Sequence, residues 1–276
     1  MHRAWVTAAA AEAAQPPPPR GSTHRVFHMN VLADCLASDF DESTPPEALA
    51  WHARSLRLLG VIEAAGWPDL VALAECDHHE DFWCPRLKAA GYEAVAYSVV
   101  STRAHGVALF ANATRYTVRG CVHVQARVAF AAAALVCRRT LTTFVLAATH
   151  LKAEEAGAEE RAVQMRAITD NVLAPLVHLG LPVVFTGDFN APADEFPSLP
   201  LAHVCALSWT TYKRRPPTAW QGGGTVRRAI DHFFVTPRTV TPLRFLDVPA
   251  AEPDTPLPGT LYPSDHLAIV ADFAIV

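Results

Sequence analysis

The sequence predicts an α/β domain, and three observations support that prediction. Short runs of β-branched and aromatic residues recur along the chain between glycine, proline or polar residues, as buried strands do. Longer segments between them carry apolar residues at helical spacing. The chain has 276 residues, of which 51% are hydrophobic, and this is enough for one large domain with its own core. No linker marks a second domain.

The first 24 residues differ in composition from the rest of the chain. Residues 8–14 are mostly alanine and residues 16–19 are all proline, which predicts a disordered or loosely helical tail before a domain at residues 25–276. Arg3 with its alanine-rich surroundings faintly resembles a mitochondrial targeting peptide, but Glu12 argues against that function. We therefore expect an intracellular protein, located in the cytoplasm.

Charge and cysteine content exclude several classes of protein. The formal net charge is −4, from 23 basic and 27 acidic residues, whereas proteins that grip long nucleic acids by the backbone usually carry a basic excess. Six cysteines show no CxxC spacing, so we interpret them as reduced thiols and not as a disulfide framework. No apolar run reaches the length of a transmembrane helix, so we expect no membrane partner.

The predicted elements follow one another along the chain as mixed strands and helices. Helices are predicted from Pro45 to Gly66, at residues 79–90 and at residues 154–178. Strands are predicted at residues 25–32, 70–75, 92–100, 106–110, 144–149, 183–185, 229–235 and 267–273, with two more near residues 122–136. Residues 209–226 form a long polar loop, and loops of that size in a compact domain are usually functional or mobile.

Polar side chains stand at or near the ends of these apolar strands, and the loops at one edge of a rigid sheet are where functional sites are built. The set comprises Asn30, Glu75, His150, Asp188, Asn190, Asp231, Asp265 and His266. Each of them has an ordinary structural alternative, since a single strand-end Asp, Asn or His more often forms a turn or a cap. Taken together, carboxylates and amides at strand ends suit a hard cation and a phosphate oxygen.

The order of six short motifs resembles the exonuclease–endonuclease–phosphatase superfamily, which includes DNase I and the abasic-site endonucleases. These motifs are N-V-L (30–32), L-x-E (73–75), T-H-L (149–151), G-D-F-N (187–190), I-D-x-F (230–233) and S-D-H (264–266). The resemblance covers almost the whole chain beyond the tail. It implies a four-layer α/β/β/α sandwich of two mixed sheets.

Within that superfamily the chain is similar to the nocturnin-like branch, as the segments E-x-D-H (75–78), T-H-L-K-A (149–153) and T-Y-K-R-R (211–215) indicate. This resemblance implies a Mg²⁺-dependent phosphoester hydrolase, with Mn²⁺ as a possible substitute, that removes the 2′-phosphate of NADP(H). A 3′-exoribonuclease acting on poly(A) or another RNA 3′ end is the alternative, and an inactive binding scaffold is a further one. We expect a monomer without an obligate protein partner.

The resemblance also implies roles for the metal-binding and acid–base residues. Glu75 holds the metal, with Asp265 either as a second ligand or as a support for the metal-binding residues, and Asp188 orients or deprotonates the attacking water. His266 donates a hydrogen bond to the phosphoryl oxygen, and Asp231 fixes its tautomer.

Further residues are expected to contact the substrate. His150 stabilises the developing charge, and Asn30 and Asn190 hold the phosphate and a metal-bound water. Candidates for the other substrate phosphates are Lys152, Lys213 and Arg215. The sequence departs from this branch at Glu154, where animal nocturnins have arginine, and at Val99, where a lysine is expected; Arg103 is a candidate replacement.

Overall fold

The structure, a computed structural model, describes residues 5–7, 22–39, 44–99, 104–123, 128–204, 219–221, 226–246 and 257–276. These residues form two large mixed sheets and one small ribbon. The larger sheet has seven strands, in the order β1 (Trp5–Thr7), β14 (Val240–Leu246), β15 (Ile269–Ile275), β2 (Thr23–Asn30), β3 (Leu70–Cys76), β5 (Gly106–Asn112) and β4 (Tyr92–Val99). Its one parallel pair is β2 with β3.

The second large sheet has six strands and also contains one parallel pair, β8 with β9. Its order is β10 (Ala202–His203), β13 (Asp231–Val235), β9 (Val183–Asp188), β8 (Thr143–His150), β7 (Ala129–Cys137) and β6 (Tyr116–His123). The ribbon pairs β11 (Ala219–Gln221) with β12 (Val226–Arg228).

Helices flank the sheets: α1 (Pro46–Leu49), α2 (Trp51–Ala64), α3 (Cys84–Ala89), α4 (Ala158–Ile168) and α5 (Ala174–His178). Short 3₁₀ turns lie at Asp34–Asp39, Glu155–Gly157 and Ala193–Glu195. Single π turns at His79–Trp83 and Thr169–Leu173 lead directly into α3 and α5, whose second residues are Pro85 and Pro175. A proline cannot donate to the carbonyl four residues earlier and clashes with it, and in both places that carbonyl belongs to the π turn.

Strict alternation of side chains divides the six-stranded sheet between two cores. Val184, Leu146 and Phe233 belong to the core that the two sheets share, together with Phe27 and Leu73 of the larger sheet. Their neighbours along the strands, among them Val183, Phe185 and Phe234, belong to a second core with Ile168 and Leu173 of the helical segment. Because successive strand residues point to opposite faces, the sheet packs against its partner on one face and against helices on the other. The predicted α/β/β/α sandwich is confirmed.

The structure corrects the sequence analysis at the N-terminus. Trp5–Thr7, assigned to a disordered tail, pairs with β14, and the ring of Trp5 lies 4.4 Å from the guanidinium groups of both Arg25 and Arg244. These cation–π contacts hold the segment to the sheet edge. Thr23 and His24 also belong to a strand, β2. Residues 8–21 lie outside the described residues, so the remainder of the predicted tail stays a prediction.

One strand boundary and one whole strand also differ from the predictions. Strand β6 begins at Tyr116 and not near Val122, and β14 was not predicted. Pro242 lies within β14, beside a shift in register between Pro242 and Arg244, and proline inside an apolar run argues against a strand at the level of sequence. The helix predicted at 154–178 is confirmed as the segment of α4 and α5 with its π turn. Within the described residues, no helix is both long and apolar enough to cross a bilayer.

His24 predicts how stability depends on pH. It is fully buried on β2, with its Nδ1 atom 2.7 Å from the hydroxyl of Tyr116, and burial together with Arg115 lowers its pKa to about 3. Between pH 6.5 and 3 the unfolded chain therefore binds a proton at this position that the folded chain does not. As the pH is lowered across that window, we expect this residue to reduce the free energy of unfolding by about 1.4 kcal/mol for each pH unit.

Denaturant unfolding of the wild type and His24→Phe between pH 7 and pH 4 measures this contribution. In the variant, the slope of the free energy of unfolding against pH should be smaller by the contribution of about one proton. Identical slopes in the two proteins would contradict the assignment.

Candidate active site

The alternation of the six-stranded sheet places three polar side chains on the face that meets the larger sheet. Asp188 has the same parity on β9 as Val184, His150 the same on β8 as Leu146, and Asp231 the same on β13 as Phe233. Register then brings them together, since Asp188 pairs with His150 on one side and with Asp231 on the other. The residues that end these strands therefore lie side by side at one end of the sandwich.

Gly187 allows this close approach of β8 and β9. Its partner across the parallel pair is Thr149, and a Cβ atom on Gly187 would lie 2.2 Å from the carbonyl oxygen of Thr149. The backbone there also has φ 155°, which side-chain-bearing residues rarely adopt. The glycine of the G-D-F-N motif is thus required by the packing that sets His150 beside Asp188.

Asn30 joins the two sheets at this point. Its Nδ2 atom donates to Oε1 of Glu75 at 2.9 Å and to Oδ2 of Asp188 at 3.0 Å, while its Oδ1 atom accepts the N–H of Leu32. The residue is 1% exposed. Asn30 was expected to hold the phosphate, but its amide group is engaged in holding two carboxylates together.

Glu75 reaches the site through an irregular piece of backbone. Its φ is 53°, and the pairing of β3 with β5 shifts register between Leu73 and Cys76, so the strand bulges at Glu75 and turns its carboxylate to the site. Oε2 accepts the N–H of Ala33 at 3.1 Å. Burial raises the pKa of Glu75, but His150 and the hydrogen bond from Asn30 outweigh it, so the net pKa shift is downward.

Two histidines face the carboxylates from either side. Nε2 of His150 lies 3.6 Å from Oδ2 of Asp188 and 3.8 Å from Oε1 of Glu75, and Nε2 of His266 lies 3.6 Å from the same Asp188 oxygen. Both histidines are buried. The distances leave the Nε2 atoms close to the carboxylates without a direct hydrogen bond, so these atoms can also serve a bound group.

Asp231 fixes the orientation of His266. Its Oδ2 atom lies 2.9 Å from Nδ1 of His266, so the Nδ1 atom carries a proton and Nε2 faces Asp188. Burial lowers the pKa of His266, but Asp231 and Asp188 outweigh it and the pKa is raised well above its usual value. Burial works against the ionised form of Asp231 too, but His266 overcomes it and the pKa of Asp231 is lowered. The pair is therefore an imidazolium held by a carboxylate.

Asp188 and Asp265 have raised pKa values, in contrast to Glu75 and Asp231. Burial raises the pKa of Asp188, against the opposing effect of His266. Burial also raises the pKa of Asp265 to about 6, with Glu75 adding to the effect. Carboxyl groups with raised pKa values are suited to accept a proton near neutral pH.

Two residues at the site were missed by the sequence analysis. Ser264 is fully buried; its hydroxyl donates to the carbonyl of Asn30 and accepts the N–H of His266, so it ties the last loop to β2. His28 lies 3.2 Å from Asp231 and is also fully buried. The S-D-H motif was the available signal for Ser264. His28 was hidden in an apolar strand pattern, where only a three-dimensional contact reveals its role.

The remaining predicted residues are placed as follows. Asn190, with φ 50°, donates its backbone N–H to Asp188 and its side-chain amide to the carbonyl of Leu151, so it braces the loop after β9. Lys152 lies 3.6 Å from the carboxylate of Glu154. Partly buried Asp265 lies beside Ser264, with Oδ1 at 3.4 Å from its hydroxyl. The other substrate candidates, Lys213, Arg215 and Arg103, lie outside the described residues.

The donor atoms at this site fit a divalent cation. Ligand atoms of Glu75, His150 and Asp188 all lie within 4.8 Å of one another, as do those of Asp188, Asp231 and His266. Two carboxylates brought this close in a buried place repel each other unless a cation or protons compensate. Their oxygen atoms are the donors that a hard cation such as Mg²⁺ prefers.

Comparison with known proteins agrees with this site. Residues 28–266 match the model of the endonuclease/exonuclease/phosphatase family, a span that includes every site residue described above. The chain belongs to this family. Its described fold of two mixed sheets between helices is the fold of its relatives, and the family consists of hydrolases of phosphoesters.

Among curated proteins, this family member is similar to nocturnins. It is 29% identical to human nocturnin over 287 residues, which cover 92% of this chain and 66% of the human protein. It is also 29% identical to nocturnin of Xenopus laevis over 305 residues, covering 99% of this chain and 77% of that protein. The chain thus spans slightly less than two thirds of the human protein that it matches.

Solved structures show the same likeness. The catalytic domain of human nocturnin with bound sulfate superposes with a TM-score of 0.78 at 25% identity, covering 100% of this chain and 97% of that domain. ANGEL2, a 2′,3′-cyclic phosphatase, gives a TM-score of 0.79 at 16% identity, with 99% and 98% covered. The second likeness concerns the fold alone.

Gly187→Ala tests the packing that builds the site. The added methyl group would collide with the backbone of Thr149, so we expect a loss of about 1–3 kcal/mol in the free energy of unfolding and a misplaced Asp188. The control is Gly120→Ala in β6 of the same sheet, where a Cβ would meet nothing within 4 Å. Denaturant unfolding compares the two. Equal small losses in both variants would contradict the close approach of β8 and β9.

Proposed function

We propose that the chain is a Mg²⁺-dependent phosphatase of the nocturnin type that removes the 2′-phosphate of NADP(H). The observation that carries the proposal is a pair of carboxylates, the partly buried Glu75 and the buried Asp188, bridged by Asn30 and flanked by His150 and His266. Its relatives among curated proteins are nocturnins, and human nocturnin accepts a sulfate anion, which has the shape and charge of a phosphoryl group.

Glu75 would hold the metal, since its lowered pKa keeps it ionised and its Oε1 lies beside the Asp188 carboxylate. Asp265, next to His266 in the same loop, is the second candidate ligand. A bound Mg²⁺ supplies charge neutralisation at a phosphoryl oxygen. Mn²⁺ has the same preference for oxygen ligands and would fit the same residues.

The remaining residues of the site act on the water and on the phosphoryl group. Asp188, with a pKa raised by burial, accepts a proton from the attacking water and orients it. His266 is held as an imidazolium by Asp231, and its Nε2–H donates to a phosphoryl oxygen as charge develops there. His150 donates from the other side. Asn190 keeps the loop after Asp188 in place and would contact the phosphate from that loop.

The direct test is phosphate release from NADP⁺ by the purified chain with Mg²⁺. We expect turnover that chelation with EDTA abolishes and that Asp188→Asn reduces by about a hundredfold or more, because the group that takes the proton is lost. Asp194→Asn is the matched control, since Asp194 is an exposed aspartate in the next loop. An unchanged rate in Asp188→Asn would contradict the role of this residue.

A poly(A)-shortening assay run beside it decides between substrate classes. Shortened RNA with untouched NADP⁺ would favour the 3′-exoribonuclease, and neither product would favour a binding scaffold or another phosphoester. The described residues support a hydrolase over a binding scaffold, because Glu75, Asp188 and His266 are all present and each has a hydrogen-bond partner within the site.

Glu154 limits the positive charge available to the substrate. Its carboxylate lies 3.6 Å from Nζ of Lys152, a predicted phosphate contact, and 73% of its side chain is exposed. Glu154→Gln releases that lysine at little cost to stability, because exposed ion pairs contribute little. We expect the KM for NADP⁺ to fall by about two- to threefold with kcat unchanged.

The matched control for this prediction is Glu155→Gln, which makes the same change of charge at the adjacent exposed position. A fall in KM of equal size in both variants would indicate a general electrostatic effect and would contradict a specific role of Lys152.

A further inference from the structure

His28 occupies a position that the proposed chemistry has not used. It lies on β2, two residues before Asn30, and is fully buried between the sheets. Its Nε2 atom lies 3.2 Å from Oδ1 of Asp231, and both side chains are 0% exposed. A histidine is a costly residue to bury in a core strand, so its contact with a site carboxylate needs a reason.

Asp231 is held by histidines at both of its oxygens. Oδ2 bonds Nδ1 of His266 at 2.9 Å, and Oδ1 bonds Nε2 of His28. A bidentate grip of this kind fixes the plane of the carboxylate, whereas a single hydrogen bond leaves rotation about its axis. The plane of Asp231 in turn sets the direction in which His266 points its Nε2 atom.

The tautomer of His28 follows from its surroundings. An ionised carboxylate only accepts hydrogen bonds, so Nε2 of His28 carries the proton that it donates to Asp231. The Nδ1 atom has no hydrogen-bond partner among the residues that the structure describes. The opposite tautomer would set the Nε2 lone pair against the carboxylate of Asp231, which cannot donate to it.

We propose that His28 is a positioning residue that locks Asp231 and thereby orients His266 toward the phosphoryl group. The arrangement is a chain of two hydrogen bonds, from His28 to Asp231 and from His266 to Asp231, with only His266 facing the site. The kinetic part of this inference rests on the proposed phosphatase activity. The geometric part does not.

The experiment compares His28→Phe, which keeps an aromatic ring without a donor, with His28→Gln, which restores an N–H donor. His24→Phe is the matched control, because His24 is also fully buried on β2, with the same side-chain parity, and bonds Tyr116 far from the site. With NADP⁺ as substrate, we expect kcat to fall about 10–100-fold in His28→Phe, as for other supporting hydrogen-bond partners of a site. KM should stay within about twofold, because substrate contacts are unchanged, and His28→Gln should recover most of kcat.

A second readout does not need activity. In the metal-free wild type, the Nδ1 proton of His266, held by Asp231, should give a slowly exchanging downfield resonance in the NMR spectrum. This signal should broaden or vanish in His28→Phe, persist in His28→Gln and persist in His24→Phe, with circular dichroism showing that all variants are folded.

The two readouts separate the failure of this inference from that of the proposed function. If the wild type releases no phosphate from NADP⁺, the proposed function fails and the resonance of His266 still decides the role of His28. A resonance that survives in folded His28→Phe overturns the inference. So does a kcat for His28→Phe within about twofold of that of His24→Phe.

Discussion

One amide group joins the two large sheets of this molecule at the candidate active site. Asn30 ends a strand of the seven-stranded sheet, and its Nδ2 atom donates both to Glu75 of the same sheet and to Asp188 of the other. The two carboxylates are brought close in a buried place, where their repulsion would otherwise separate the sheets or raise their pKa values together. The contact between the two sheets at this end and the geometry of the candidate cation site therefore share the same side chain.

Histidines complete the balance of charge around these carboxylates. The negative charges of Asp231 and Asp188 raise the pKa of His266, and His150 lowers the pKa of Glu75. The result is a site in which acidic and basic groups lie side by side, with its hydrogen-bond donors in place before any ligand binds. Asp231 accepts hydrogen bonds from two buried histidines, His28 of the larger sheet and His266 of the loop before β15.

The sequence predicted the residues of the site more fully than the residues that hold them in position. His150 and Asp188 were found because each follows a short apolar run, and Asp231 because it begins one, and the sandwich brings all three together. The bridge that Asn30 makes was not predicted, because the sequence does not show whether an amide faces a phosphate or two carboxylates, and its expected contact with the phosphate stays a prediction. Strand β14 was missed because Pro242 interrupts its pattern, and Trp5–Thr7 was missed because its partners lie more than two hundred residues away.

The sequence by itself determined the family, the order of the strands that carry polar ends and the residue types of the site. Those properties are local, since each motif of three or four residues carries its own strand, turn and side chain. Only the tertiary structure decided which atoms meet: the bridge of Asn30, the second histidine on Asp231 and the close approach at Gly187. Each of these depends on the register between strands distant in sequence, and a shift of one residue would turn every side chain to the opposite face.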